Sequence, residues 1–139
     1  MADNRRDFQK LARMRLSDAR ALIKSGNLEG AYHLTGLAVE CALKACIAKN
    51  TKRNDFPPTL NIIRDIYSHD LGKLLTAAKL QTALDAERRR NAPLDNKWAV
   101  VLKDWNINSR YAVGGLNARS LYRAVAGRNG VMQWLRQRW

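Results

Sequence analysis

Cysteine, histidine, proline and acidic residues are all scarce in this chain, and each scarcity removes a class of answer. Its two cysteines, Cys41 and Cys46, stand five residues apart. That spacing suits neither a metal clip nor the disulfide framework of a small secreted domain, so buried, reduced thiols are expected. The two histidines are His33 and His69. His33 has no partner at ligand spacing except the remote Glu40, so no metal site and no cofactor are expected. Gly114-Gly115 alone does not make a phosphate-cradling loop. No apolar run approaches the roughly twenty residues of a membrane span, and Met1 to Asp7 is polar and of mixed charge, unlike a secretory leader. A cytoplasmic protein without a membrane partner is expected.

Twelve acidic residues face twenty-five Lys and Arg, a formal charge of +13. No acid follows Asp104, whereas Arg110, Arg119, Arg123, Arg128, Arg136 and Arg138 all lie beyond it. Such an excess draws polyanions and makes their binding salt-sensitive, so RNA or a nucleotide leads among partners. Solvated arginine faces that keep a small protein dispersed explain the same charge. With 139 residues and 46% apolar content, the chain can bury one core, and residues 1–139 are expected to form one domain.

Apolar residues at Phe8, Leu11, Ala12, Leu16, Ala19, Leu22 and Ile23 follow three-four spacing and predict a helix that stops at Gly26-Asn27. A second helix runs from about Leu28 to Lys49, with Ala31, Leu34, Thr35, Ala38, Cys41, Ala42 and Ala45 on a face that permits close packing. A second line on it reads His33, Leu37, Glu40, Lys44, where Glu40 and Lys44 form a favourable i,i+4 pair at the edge of the core. Thr51 to Pro58 is a loop. Thr59 can cap a short helix through Tyr67, and Ser68 or Asp70 another that carries Leu71, Leu74, Leu75 and Ala78. Gln81 to Arg90 and a helix opened by Pro93, with Trp98, Val101, Leu102 and Trp105, come next. Asn106 to Gly115 is expected to be a loop. The last helix, with Leu121, Tyr122, Val125, Met132, Leu135 and Trp139 in one phase, is open to a kink at Gly127 and Gly130. The fold class is all-α, an antiparallel bundle of about five to six helices.

Gly30-Ala31-Tyr32, Ala38-Val39-Glu40-Cys41-Ala42-Leu43-Lys44-Ala45, His69-Asp70-Leu71, Trp105 and Ser109-Arg110-Tyr111, in that order from about Phe8 to Trp139, resemble the HEPN domain family. The resemblance implies a HEPN-like bundle that dimerises. It also implies roles among metal-independent ribonucleases, toxins of toxin-antitoxin pairs, partners of minimal nucleotidyltransferases, and modules that bind RNA or nucleotide. An antitoxin or nucleotidyltransferase is therefore an expected protein partner, beside a second copy of the chain. In the nuclease branch an Arg precedes a His by four to six residues, a spacing met here by Arg64 and His69.

Metal-free RNA cleavage needs a base for the 2′-hydroxyl and a cation for the charge on phosphate, so His69 and Arg64 are the candidate catalytic residues. On one continuous helix they would point about 140° apart, and a helix break at Ser68 or a dimer would be needed to bring them together. The motif is central here rather than late, and Leu71 stands where controlled branches place Tyr. The alternative is a structural His69 that bonds backbone groups at a helix start. Arg110, Tyr111, Trp105 and Lys44 are the candidate RNA- or nucleotide-binding residues; Arg110 stacked on Trp105 to seal the bundle is the structural alternative.

Overall fold

The computed structural model describes residues 4–51, 64, 66–111 and 113–139. The expected break at Pro57-Pro58 and the Thr59 cap lie outside the described residues. Elsewhere the chain is helical, and no strand occurs among the described residues. In chain order the elements are α1 (Arg5–Lys24), α2 (Leu28–Asn50), α3 (Leu71–Ala77), α4 (Gln81–Arg90), α5 (Ala92–Asp104), a 3-10 helix (Ile107–Tyr111), α6 (Ala118–Ala126) and α7 (Val131–Arg136). No described helix is long and apolar enough to cross a membrane.

Local chemistry sets most of these bounds. The Asn4 side chain accepts from the Asp7 amide at 3.0 Å and starts α1. At the other end Gly26 takes φ +82°, the Asn27 amide donates to Leu22 O at 2.8 Å and the Gly26 amide to Ile23 O at 3.1 Å. This Schellman closure turns the chain directly into α2, so α1 and α2 pack antiparallel along their length. Asn91 accepts from the Leu94 amide at 3.1 Å, with Pro93 in the first turn of α5.

α2 is the axis of the bundle. Ala31, Tyr32, Thr35, Gly36, Ala38, Val39, Glu40, Ala42, Leu43, Ala45, Cys46 and Ile47 are all buried, so it is covered on nearly every side. α1 covers one side with Ala12, Leu16 and Ala19, and α3, the 3-10 helix, α6 and α7 cover the others. Trp98 of α5 meets Trp134 of α7 edge-on at 5.7 Å between centroids. The expected last helix is divided into α6 and α7 at Gly127–Gly130. Asn106 onward, expected as loop, contains the 3-10 helix, because Ile107 packs on the core and Ser109 is buried.

Gly36 of α2 faces Trp105, whose indole occupies the space a side chain would need. A Cβ on Gly36 would lie 1.8 Å from the Trp105 ring. Gly→Ala inside a helix ordinarily stabilises by about 1 kcal/mol. Here displacing a buried indole from the most central helix costs more, since overpacking a filled core costs about 1–3 kcal/mol. Gly36→Ala is therefore expected to lower the urea unfolding free energy by about 1–2 kcal/mol; an unchanged or raised midpoint would contradict this packing.

Candidate functional site

The turn Ser68-His69-Asp70 is held by its own side chains. Ser68 Oγ accepts from the Asp70 amide at 3.0 Å, and Asp70 Oδ1 accepts from the Lys73 amide at 3.1 Å, which caps α3. Leu71, Leu74 and Leu75, all buried, fasten α3 on the core. The helix is thereby broken just before His69, and the imidazole swings over α2.

There it meets Glu40. His69 Nδ1 lies 2.7 Å from Glu40 Oε1, and Lys44 Nζ lies 3.0 Å from the same oxygen. The Glu40 side chain is only 4% exposed, against 15% for Lys44 and 52% for His69. A carboxylate buried this far is tolerable only with charged or donating partners, and here one oxygen takes two. Glu40 Oε2 is buried without a partner. An ionised carboxylate only accepts, so opposite it His69 Nδ1 carries a proton and donates, and in the neutral ring Nε2 then holds the lone pair. Burial pushes the neighbouring Cys41 thiol up from 9.0 to about 11, with the Glu40 charge acting in the same direction. Cys46, pushed up to about 11 mainly by burial, is likewise a protonated, free thiol.

His69 also borders a cleft of about 400 Å³. Asp70 and Gly72 from the start of α3 line it, together with Leu102, Lys103, Trp105, Asn106 and Ile107 from the end of α5 and the turn beyond. Asn106 Oδ1 is committed to the Asn108 amide at 2.9 Å, which leaves its NH2 group as the donor available to a ligand. Lys103 is exposed and brings the cation. The cleft thus combines an imidazole, an ammonium and an amide donor with one carboxylate, that of Asp70, whose Oδ1 is taken by the Lys73 amide, beside the apolar Leu102, Trp105 and Ile107.

The structure brings together only some of the residues singled out in the sequence. Lys44 joins His69 through Glu40 but does not line the cleft; it borders a second hollow of about 380 Å³ with Arg5, Phe8, Ile47 and Ile66. Trp105 is 5% exposed, seated on Gly36 and stacked on His33 at 6.4 Å, so it forms a wall of the cleft rather than an open stacking platform. Tyr111 is 72% exposed on the 3-10 helix and does not line the cleft. The side chain of Arg110 lies outside the described residues. Arg64 is exposed, and no hydrogen bond or ion pair joins it to His69.

Two readings, one of the turn and one of Glu40, need correction. Its backbone is bonded by Ser68 and Asp70, while His69 bonds a carboxylate. Glu40 is inside the core rather than at its edge, because α3 and the 3-10 helix close over that line of α2. Sequence reasoning missed the Glu40–His69 pair, Lys103 and Asn106. The signal for the first was an acid between Val39 and Cys41 in the middle of a helix rich in small apolar residues, which demands a partner. Among the described residues, no group of three or more His, Cys, Asp or Glu is placed to hold a metal ion. Comparison with family models, with curated proteins and with solved structures gives no match.

Removing His69 leaves the buried Glu40 carboxylate with Lys44 alone, whereas removing Glu40 also removes the charge whose desolvation its partners offset, and both partners reach solvent. His69→Ala is therefore expected to cost about 1–3 kcal/mol in urea unfolding at neutral pH, and the cost should shrink when it is made together with Glu40→Gln. A cost of His69→Ala that is indifferent to Glu40→Gln would contradict a buried carboxylate that depends on its imidazole partner.

Proposed function

We propose that this chain is a HEPN-like module that binds RNA or a nucleotide in the cleft beside His69. The observation that supports the reading is the imidazole bonded to buried Glu40 at 2.7 Å among the residues that line that cleft, a polar group held in place beside any ligand there. The formal charge of +13 supports it by concentrating polyanions at the surface. Lys103 supplies a phosphate contact, and the Asn106 amide donates to a phosphate or base oxygen. The resemblance carries the rest of the proposal: a homodimer, and a nucleotidyltransferase or antitoxin as protein partner.

A second reading, metal-independent cleavage of RNA, is favoured by the same pair. With Nδ1 committed to Glu40, Nε2 is free to take the proton of a 2′-hydroxyl. The 2′-oxygen would then attack phosphorus, the bond to the 5′-oxygen would break, and a 2′,3′-cyclic phosphate and a 5′-hydroxyl would form. The leaving 5′-oxygen would take a proton from solvent water, the proton on Nε2 would return to solvent, and the pentacoordinate phosphorane needs a cation. Arg64 makes no bond to His69 within the chain, so in this reading it acts across a homodimer.

Fluorescence anisotropy with a labelled single-stranded RNA, and competition by a mononucleotide, test both readings. Binding is expected in about 50 mM salt and should fall steeply as salt rises. Lys103→Ala should weaken it about fivefold or more while leaving the fold intact. No binding at low salt, or binding indifferent to Lys103, would refute the cleft reading. Cleavage that persists in chelator and falls about a hundredfold or more in His69→Asn would establish the second reading; intact RNA after prolonged incubation would exclude it.

A further inference from the structure

We propose that the outer face of α1 is a second nucleic-acid surface, one that follows the phosphate backbone of an RNA strand longer than a single nucleotide. The proposal builds on the cleft as an RNA or nucleotide site. Arg6, Lys10, Arg13, Arg20 and Lys24 are all exposed and recur at intervals of four, three, seven and four, with exposed Ser17 in the gap. At 100° per residue the five fall within about 80° of one another, and the stripe they form is about 27 Å long.

Among the described residues, no ion pair neutralises this stripe. α1 carries two described acids, Asp7 and Asp18; Asp18 is engaged by Arg15 at 2.7 Å and Asp7 by Asn4 at 3.0 Å. No ion pair among the described residues involves any of the five cations. Arg6 with Lys10, Lys10 with Arg13, and Arg20 with Lys24 are like charges at three- or four-residue separation, an arrangement that opposes helix formation until an anion lies across it.

A second observation extends the stripe sideways. Arg13 and Arg136 both hold their guanidinium groups against the Trp139 ring, at 4.9 and 5.9 Å from its centroid. Beside them Leu16, Arg128 and Arg136 border a hollow of about 190 Å³ at the α6–α7 turn. The middle of the α1 stripe therefore runs into a further pair of arginines in the part of the chain that has no acids. A row of cations with a lateral branch fits a flexible polyanion that can bend into the hollow.

A membrane surface is the poorer match. The apolar face of α1, with Ala12, Leu16 and Ala19, is already buried in the core, and Met14 at 43% is its only exposed large hydrophobic residue. An interfacial helix needs an apolar face to bury in lipid.

The test is the triple variant Lys10→Gln, Arg20→Gln, Lys24→Gln, in which three exposed side chains become another good helix former. Anisotropy would be measured with single-stranded RNA of about twenty nucleotides and with a mononucleotide, across a salt series. Affinity for the RNA is expected to fall about tenfold or more, and the slope of log affinity against log salt to become shallower by about 2, at about 0.7 per lost phosphate contact. Mononucleotide affinity and the thermal midpoint should not change. RNA affinity and slope equal to those of the parent protein would overturn the proposal, as would a parent protein that binds anionic lipid vesicles but not RNA. A shallower slope in the triple variant, together with no effect of Lys103→Ala, would leave the α1 surface standing and contradict the cleft reading alone.

Discussion

A carboxylate buried in the central helix dictates how this bundle closes. Glu40 sits on α2 with a side chain only 4% exposed, where an isolated charge would cost several kcal/mol. Lys44, one turn on, answers part of that cost from the same helix. The rest is met by His69, which reaches it only because Ser68 and Asp70 fold the chain into a turn and cap α3 there. The electrostatic demand of one residue thus fixes where α3 begins, and the cleft between α3 and the end of α5 follows from that position.

Trp105 forms the opposite wall, and its placement depends on an absence. Gly36 leaves a slot in α2 that the indole fills, and His33 stacks beside it. Glycine, acid and ammonium thus lie on one line of α2, at positions 36, 40 and 44. Elsewhere tryptophan and arginine are used as mutual cover: Arg138 lies 3.6 Å from the Trp134 centroid and donates to Trp134 O, and burial lowers the affinity of its guanidinium for protons. Part of the cationic excess of the last segment is therefore structural, which leaves α1 with the larger uncompensated array.

Much of the fold was legible because it is written in local rules. The Gly26-Asn27 stop, the start of α5 at Pro93, the Asp70 cap and the apolar phase of α1 each depend on neighbours in sequence. The 3-10 helix at Ile107–Tyr111 was not legible, since it exists because Ile107 and Ser109 pack against α2, a tertiary effect that overrides a loop-like composition. Half of the site was readable as well: His69 and Lys44 stood out by residue type and position. Their connection through Glu40 was not, because 29 residues separate Glu40 from His69 and no periodicity links two elements across a loop. Cation stacking occurs at Trp134, under Arg138, and at Trp139, under Arg13 and Arg136; the Arg110 side chain anticipated on Trp105 lies outside the described residues.

The account turns on the state of one imidazole. If buried, ionised Glu40 accepts from His69, the neutral ring must carry its proton on Nδ1 and leave Nε2 bare. Long-range 1H–15N correlation spectra of the ring, recorded at a pH where it is neutral, read this directly. The account predicts the Nδ1–H tautomer in the parent protein and a shift to Nε2–H in Glu40→Gln. A ring already in the Nε2–H form, or one whose tautomer is indifferent to Glu40, would contradict it.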